Sequence, residues 1–592
     1  MPGPGDRGGE KQKPKNAGRT LRRLLSYMMK YGWIFFLLLL LAFASNIGNL
    51  LGPDFAGKAI NEAAAGKGKV NMPLVIRYGL LMLLVYVGSN ILSFLVNIWM
   101  MRVGRMVARN LRRDVFHKLM ELPADYFDKH LAGDIISRVS YDIDVVCTSL
   151  SSDIVQILTS FVTVIGSFIM MCLISLPLVL CMIFTIPVSI LFTRYMSRKT
   201  RPLYRARSRA YGEMNGFAEE MFTGQKTILA YAQEERVCER FSEINKKAAE
   251  AYKEADGLGA TMFPTIGMIN NIGLSAIGLG GALLYMYNIV GLGQISSFIL
   301  YSRKFSGPIN EISNIINEIF SALAAAERVF QLLDETEEVK DIENAIELKN
   351  AQGHVEVQDL EFAYVPGKTI LRDFNMEAMP GETVAIVGHT GAGKTTMINL
   401  LMRFYDPLHG QIRVDGLENR SYTMESLRKS YSMVLQETWV FNGTIYDNIA
   451  YGKEDATHEE VTEAAKAAHI HNYIMKLPGG YNTVISEDGG NISKGQKQLI
   501  TIARAMLYDT GMLILDEATS NVDTATERKV QDAMKKLMTG KTCFIIAHRL
   551  STIRNADNII VMEHGDVIEQ GRHDELMDRK GAYYRLYRSQ FE

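Results

Sequence analysis

The sequence predicts a multidomain chain, in which a six-helix transmembrane domain with long cytoplasmic helical extensions precedes an α/β P-loop domain. Two observations support this prediction. Hydrophobic residues make up 47% of the 592 residues and are concentrated in the first half, in stretches long enough to cross a bilayer. In the second half, a β-type run at 383–387 leads through the segment 388–396 into a helical pattern, which is the order that a P-loop requires.

Composition argues against two other classes of protein. The 64 Lys and Arg residues are balanced by 65 Asp and Glu residues, and this near-zero net charge is not typical of a nucleic-acid-binding protein. The five cysteines are scattered and form no C-x-x-C pair. They therefore indicate neither a zinc site nor a disulfide framework, and they fit a reducing cytoplasm for the soluble part.

The chain begins with residues 1–18, a segment rich in Gly, Pro and Lys that we expect to be a disordered tail. The segment lacks a short apolar core followed by a small-residue cleavage site, so we expect no removable signal peptide. Residues 19–30 then carry apolar and basic side chains at helical spacing. This pattern predicts an interfacial helix on the inner leaflet, or alternatively only the charged flank of the first span.

Hydropathy and length predict six membrane spans within a transmembrane domain at residues 19–330. The spans are Trp33–Leu51, Leu74–Met101, Ile154–Ile174, Leu178–Met196, Met262–Val290 and Leu292–Leu323. Spans 3 and 4, and spans 5 and 6, are joined by very short connections. The connections after spans 2 and 4 are long, charged and helical in pattern, so we expect the membrane helices to continue into the cytoplasm.

Five arginines follow the second span closely: Arg102, Arg105, Arg109, Arg112 and Arg113. The positive-inside rule therefore predicts that the long connections and both termini are cytoplasmic. An even number of spans agrees with this topology, because the domain that follows the sixth span must meet ATP.

The sixth predicted span carries two cations, Arg303 and Lys304, about 18 to 20 Å along the helix from Gly291 and hence near the middle of the bilayer. Each would cost about 2.5–3.5 kcal/mol if it were unpaired in lipid. Further polar residues follow on the same helix: Asn310, Glu311, Asn314, Asn317 and Glu318. This face predicts a polar translocation path, or alternatively polar contacts that hold helices together. We also expect Pro308 to kink the span.

An acidic linker at residues 331–351 separates the membrane domain from a globular α/β domain at residues 352–592. The P-loop of this domain comprises Gly388, His389, Thr390, Gly391, Ala392, Gly393, Lys394, Thr395 and Thr396. Its glycines let backbone N–H groups turn towards a phosphate, and the following helix adds its positive N-terminal end. Lys394 would reach the β- and γ-phosphates, and Thr395 would offer its hydroxyl group to Mg²⁺.

Two further strands end in residues suited to phosphate chemistry. An apolar run at 513–515 ends in Asp516 and Glu517, and we expect Asp516 to hold Mg²⁺ through water and Glu517 to orient or polarise the attacking water. A second apolar run at 543–547 ends in His548. A histidine at this place can contact the γ-phosphate, although a lone histidine is more often structural.

Taken in order, the motifs resemble those of an ABC transporter ATPase, which makes the second domain an α/β P-loop ATPase domain of the ABC type. Tyr364, 388–396, Gln436, 491–496, 515–523 and 547–549 resemble the A-loop, Walker A, Q-loop, signature, Walker B with D-loop, and H-loop. Segments 122–142 and 219–230 of the membrane half resemble the intracellular loops of the same family. Residues 19–592 therefore resemble a half-size ABC exporter with one membrane domain and one nucleotide domain.

This resemblance implies the roles of several residues. Tyr364 would stack on adenine, and Gln436 would sense both Mg²⁺ and the membrane domain. Members of the family bury two ATP molecules between two nucleotide domains, so Ser493, Lys494, Gly495 and Gln496 of the signature would contact the ATP of a partner chain. The resemblance thus implies ATP, Mg²⁺ and an obligatory dimer.

The signature departs from the family pattern Leu-Ser-Gly-Gly-Gln, because it reads Ile492-Ser493-Lys494-Gly495-Gln496. The D-loop at 520–523 departs as well. An intact Walker B motif with an altered signature is similar to one subunit of heterodimeric bacterial multidrug-type exporters, whose partner has the intact signature and lacks the catalytic glutamate. A homodimer that tolerates the variant signature is the alternative.

The resemblance implies ATP-driven efflux of a hydrophobic or amphipathic solute across the cytoplasmic (inner) membrane of a bacterium by alternating access. Drugs, lipids and peptides all suit such a path, and the direction of transport rests on the resemblance alone. A homodimeric lipid or peptide exporter is a second interpretation. An ATP-gated membrane protein that transports nothing is a third.

Overall fold

A computed structural model describes residues 16–66, 68–183, 185–435, 438–486, 491–516, 524–546 and 553–591. The chain forms two compact units, each described here by itself. The helical unit comprises the chain up to Leu122 together with His130–Thr336, and the α/β unit comprises Pro123–Lys129 and the chain from Glu337 onwards. The boundary after Thr336 lies within the predicted linker.

The helical unit consists of helices and short helical turns. In chain order they are α1 Ala17–Met29, α2 Gly32–Ala63, α3 Met72–Met120, α5 Ala132–Ser137, a π-turn Arg138–Asp142, α6 Ile143–Thr148, a second π-turn Ser149–Asp153, α7 Ile154–Ile174, α8 Leu176–Ile183, α9 Thr185–Thr223, α10 Gln225–Ala230, α11 Glu234–Ala260, α12 Met262–Met286 and α13 Leu292–Leu333, while α4 Ala124–Lys129 belongs to the α/β unit. As predicted, the long connections continue as helix beyond the spans, most plainly in α3 and α9. Helix α13 is continuous through Pro308.

Four helical stretches in the described part of the chain are long and apolar enough to cross a membrane. They are Gly32–Ala63, Met72–Met120, Ala132–Ile174 and Glu234–Met286, and they contain the predicted first, second, third and fifth spans. The predicted fourth and sixth spans are helical too, in α8 with α9 and in α13. They are not among the four, so the count of six spans and their topology stay predictions.

The predicted interfacial helix is present as α1. Leu24 and Met28 are buried, whereas the neighbouring Leu21 and Met29 are exposed. Arg23 ties the helix to the end of α13, because its guanidinium group donates to Asp334 at 2.6 Å. The helix therefore presents one apolar face to the protein and leaves a second one uncovered.

The α/β unit contains twelve strands, which are listed here with their helices. The strands are β1 Val355–Phe362, β2 Leu371–Ala378, β3 Thr383–Gly388, β4 His409–Val414, β5 Leu417–Glu418, β6 Tyr431–Val434, β7 Gly443–Thr444, β8 Val484–Ile485, β9 Met512–Asp516, β10 Thr542–Ile546, β11 Asn558–Glu563 and β12 Asp566–Gly571. The helices are α14 Lys394–Leu401, α15 Met424–Lys429, α16 Ile445–Ala450, α17 His458–Ala467, α18 His471–Ile474, α19 Lys494–Tyr508, α20 Thr524–Met538, α21 His573–Arg579 and α22 Ala582–Phe591, with 3₁₀ turns at Asn419–Ser421 and Gly480–Asn482.

The largest sheet has the order β12-β11-β3-β10-β9-β6, and its strands are parallel except for β12. A second, antiparallel sheet has the order β2-β1-β4-β5. Successive side chains of β3 alternate between two cores: Val384 and Ile386 pack on the side of α14, and Ala385 and Val387 on the side of α19. Because both faces are covered, the strands are nearly continuous apolar runs. Ligands of such sheets bind beyond the carboxyl ends of the strands.

Candidate nucleotide site

The P-loop follows β3 and turns sharply at three glycines. Gly391 and Gly393 have φ angles of +87° and +101°, a conformation that residues with a side chain rarely adopt. A Cβ atom on Gly388 would lie 2.3 Å from the carbonyl oxygen of Met562, and one on Gly393 would lie 2.7 Å from a methyl carbon of Leu371. Glycine is therefore required at these positions, and the backbone N–H groups of the loop are accessible to a ligand.

Helix α14 begins directly after this loop. Among the described residues no side chain caps its N-terminus, where Gly393 is the left-handed capping residue. The N–H groups of the first turn consequently lack a side-chain acceptor, and the positive end of the helix is directed at the loop. Both features stabilise a bound phosphate group.

Lys394 lies within the loop and is only 8% exposed. Its ammonium group donates to the carbonyl oxygens of Gly388 at 2.8 Å and His389 at 3.0 Å. Burial lowers the pKa of Lys394, and the nearby Asp516 carboxylate opposes this shift. A partly desolvated cation that is held by two carbonyl groups is well placed to exchange them for phosphate oxygens.

Strand register brings Asp516 to the same edge of the sheet. Ile386 of β3 pairs with Ile546 of β10, which in turn pairs with Asp516 at the end of β9. These three residues form one row across the sheet, just before the P-loop begins. The order of the strands therefore places the Walker B carboxylate beside the phosphate-binding loop, as the influence of Asp516 on Lys394 also indicates.

The residues at this edge suit Mg²⁺. The Thr395 side chain is exposed while its neighbours Lys394 and Thr396 are buried, so its hydroxyl oxygen is available beside the Asp516 carboxylate. The described residues contain no group of three or more His, Cys, Asp or Glu side chains that could hold a metal ion by themselves. This fits a magnesium ion that takes one carboxylate, one hydroxyl group and the phosphate oxygens of its nucleotide.

Tyr364 lies against the P-loop helix. Its hydroxyl group donates to Oγ1 of Thr396 at 3.3 Å and accepts from Nδ2 of Asn399 at 3.2 Å. Its ring stands edge-on to Tyr405 with the ring centres 5.0 Å apart. These contacts orient the ring of the residue that we predicted to stack on adenine, although the adenine contact itself stays a prediction.

Sequence analysis missed Asn399 and Tyr405 as parts of this arrangement. Tyr405 is hydrogen-bonded to the carboxylate of Asp128 in α4, and burial, followed by Asp128, raises its pKa. A cavity of about 330 Å³ adjoins Tyr364 and Tyr405. The aromatic pair at 404–405 after the P-loop helix is the only signal in the sequence, and nothing in the pattern pairs it with Tyr364.

The signature forms the N-terminus of the fifteen-residue helix α19. Ser493 caps the helix: its hydroxyl oxygen accepts from the N–H of Gln496, and Oε1 of Gln496 accepts from the N–H of Ser493 at 2.9 Å. Ser493 and Lys494 are exposed, whereas Ile492 is buried. Lys494 therefore places a positive charge on the positive end of a helix, where an anion is favoured.

Several predicted residues lie outside the described part of the chain. They are Gln436, Glu517, His548 and the D-loop at 520–523. The chain leads to three of them from the same sheet edge, since β6 ends at Val434, β9 at Asp516 and β10 at Ile546. Their assigned roles stay predictions.

The predicted translocation residues are all on α13. Arg303 and Asn317 are exposed, whereas Nζ of Lys304 donates to the carbonyl oxygen of Asn49 in α2 at 2.9 Å. This contact favours the helix-packing interpretation for Lys304. The side chains of Asn310, Glu311 and Asn314 are outside the described structure.

Comparisons with known proteins agree with this arrangement. A family model of the ABC transporter transmembrane region matches residues 35–309, and one of the ABC transporter matches residues 371–520. An uncharacterized ABC transporter ATP-binding protein of Bacillus subtilis is 40% identical over 98% of this chain and 96% of its own length. A fatty acid ABC transporter ATP-binding/permease protein of Mycobacterium bovis is 45% identical over 81% of this chain and 76% of its own length.

Two further similarities concern exporters. An ATP-dependent lipid A-core flippase of Syntrophus aciditrophicus is 33% identical over 87% of this chain and 85% of its own length. The solved structure of a bacterial Atm1-family ABC exporter with ATP bound has a TM-score of 0.73 and 28% identity, and the match covers 97% of this chain and 99% of that one. These findings confirm the predicted fold class and an ATPase coupled to transport across a membrane, carried out by half-transporters that work as dimers. The chain belongs to the ABC transporters, as an exporter-type half-transporter with its transmembrane region and ATPase domain in one polypeptide.

Proposed function

We propose that this chain is one half of a dimer that drives a hydrophobic or amphipathic solute out of the cytoplasm by alternating access, across the cytoplasmic (inner) membrane of a bacterium. The observation that carries the ATP-driven part is the row Ile386–Ile546–Asp516, which brings the Walker B carboxylate to the edge occupied by Lys394. The predicted spans in the helical unit supply the path.

Within this proposal, each predicted residue has one task. Lys394 and the P-loop N–H groups bind the phosphates, and Tyr364 holds the adenine. Mg²⁺ would be held by Thr395, by Asp516 through water and by Gln436, and it would offset phosphate charge as the terminal phosphoryl group leaves. Glu517 orients or polarises the attacking water, and His548 contacts the γ-phosphate. Arg303 and the asparagines of α13 line the path.

We further propose that the partner is a different half-transporter. Lys494 replaces a signature glycine, and glycine at this place allows close backbone approach to a phosphate. The site formed by this chain's Walker motifs would then meet an intact signature from the partner and hydrolyse ATP. The site closed by Ser493 and Lys494 would mainly hold ATP, because the partner lacks the catalytic glutamate.

A homodimeric lipid exporter is the second candidate, and two observations favour it. The relatives named above are described as a fatty acid transporter and a lipid A-core flippase, both of which handle acyl chains. Moreover, Lys494 lies at the N-terminus of α19, where a phosphate would offset its unfavourable interaction with the helix dipole. The variant signature is thus compatible with ATP binding at both sites.

Transport in sealed proteoliposomes tests the function itself. Chains that are oriented with the α/β unit outside should accumulate a labelled fatty acid or fluorescent amphipathic dye inside when Mg-ATP is added, and the Lys394→Ala variant should not. ATP turnover without movement of any such solute would support the non-transporting alternative instead.

Purified preparations distinguish the two assemblies. The heterodimer proposal expects weak ATPase activity from this chain alone, and strong activity after co-expression with a half-transporter that has an intact signature and no Walker B glutamate. Strong, transport-coupled turnover by this chain alone would falsify the heterodimer.

A further inference from the structure

Helix α2 contains a proline in its interior, Pro53. Proline has no backbone N–H, so the carbonyl group of Asn49, four residues earlier, has no helical donor. In the apolar part of a membrane such a carbonyl group cannot turn to water, and leaving it unpaired costs free energy. Some other donor must therefore satisfy it.

Lys304 of α13 supplies that donor. Its Nζ lies 2.9 Å from the carbonyl oxygen of Asn49. Two more side chains of α13 donate to the same turn of α2: Tyr301 to the carbonyl oxygen of Leu50 at 2.6 Å, and Ser297 to that of Pro53 at 2.7 Å. Residues 297, 301 and 304 are spaced by four and three, so one face of α13 covers the proline turn.

The two helices also touch without intervening side chains just beyond this turn. A Cβ atom on Gly293 would lie 1.8 Å from the carbonyl oxygen of Gly57, and one on Gly57 would lie 2.6 Å from that of Gly293. The N–H of Gly293 donates to Oδ1 of Asn61 at 2.7 Å. Close glycine contact and side-chain donors thus join α2 and α13 over several turns.

From these contacts we infer that Lys304 is a positioning residue, which replaces the hydrogen bond that Pro53 removes and thereby locks the proline turn of α2 onto α13. The two helices then move as one body during transport. The role requires nothing of the solute, and it separates Lys304 from its neighbour Arg303, whose exposed side chain remains available to the path. A cation near the middle of a predicted span is accounted for by the backbone acceptor it serves.

A double-mutant cycle tests this role in the full-length protein in detergent. In the native background, Lys304→Met keeps the length of the side chain, removes the donor, and should lower the apparent thermal midpoint by at least about 2 °C. In the Pro53→Ala background residue 53 regains its N–H, so Asn49 has a helical donor and the same substitution should cost less than half as much. Equal losses in both backgrounds would overturn the inference.

A neighbouring cation provides the matched control. Arg303→Met removes a charge one residue away and should change the midpoint equally in both backgrounds. If the Pro53→Ala protein does not fold, the native background still decides the matter. Lys304→Arg keeps a donor and should restore the midpoint and the ATPase rate that Lys304→Met loses. Failure of arginine to restore either value, or no loss with methionine, would also overturn the inference.

Discussion

The ammonium group of Lys394 lies 2.8 Å from the carbonyl oxygen of Gly388, the glycine that opens the P-loop. The lysine thus folds back over its own loop and occupies the space that a phosphate group would enter. On nucleotide binding the ammonium group exchanges carbonyl oxygens for phosphate oxygens, which is a gain because the phosphate carries full negative charge.

Replacing Lys394 by alanine should therefore weaken ATP binding and hydrolysis together. Charge-assisted hydrogen bonds contribute about 1.5–3 kcal/mol, so equilibrium binding should show a loss of affinity of about 10- to 150-fold. Lys541→Ala is the matched control, because Lys541 is also buried and contacts Asp509 and Thr510. It should lower stability and leave ATP affinity intact. Unchanged affinity in the Lys394 variant would contradict the assignment.

Tyr364 offers a test that separates its ring from its hydroxyl group. Tyr364→Ala should weaken ATP binding by about 2- to 12-fold, since aromatic stacking contributes about 0.5–1.5 kcal/mol. Tyr364→Phe keeps the ring, loses only the contacts with Thr396 and Asn399, and should bind nearly as well as the native chain. Inorganic tripolyphosphate, which has no base, should bind all three proteins alike. A loss of tripolyphosphate affinity equal to the loss of ATP affinity would show that the ring does not contact adenine.

Glu517→Gln should abolish turnover while ATP still binds. The substitution keeps the size of the side chain and removes the carboxylate that orients or polarises water, and such groups contribute about 10²–10⁴-fold in rate. Single-turnover hydrolysis and retained nucleotide should be measured on the same preparation. Near-normal hydrolysis would remove Glu517 from the catalytic role.

Cysteine scanning along α13 tests the predicted path. Cysteines at 310, 314 and 317 should react with a small water-soluble thiol reagent, and trapping of ATP should change their reactivity. A cysteine at Leu84, an exposed apolar position of α3 that we expect to face lipid, should stay unreactive. The native cysteines are first replaced by serine. Protection of all three asparagine positions in every nucleotide state would favour helix packing over a path.

Lys494→Gly restores the family signature and distinguishes the two assemblies by its effect on turnover. In the proposed heterodimer the substitution alters only the holding site, so the ATPase rate should change modestly, by less than about twofold. In a homodimer every site contains residue 494, so every catalytic event should change. Rates are measured on dimers of verified composition, and a large change in a verified heterodimer would contradict the division between a hydrolysing and a holding site.

The sequence by itself determined the order of the two domains and most of the nucleotide site. Apolar stretches long enough for a membrane, and the strand–loop–helix order around Gly388 and Lys394, are local patterns that need no knowledge of distant contacts. The P-loop residues are contiguous, so their spacing alone predicted their common task. The comparisons confirmed the family that the ordered motifs resembled.

Only the tertiary structure decided which distant residues meet. Asp516 reaches the P-loop because β10 lies between β3 and β9, and strand order is not encoded in the periodicity of any single strand. The contact of Tyr405 with Tyr364 depends in the same way on how the chain returns after α14. Sequence analysis placed Lys304 near mid-bilayer and left a path or a helix contact open. The relative rotation of α2 and α13 directs its ammonium group to the carbonyl group that Pro53 leaves unpaired.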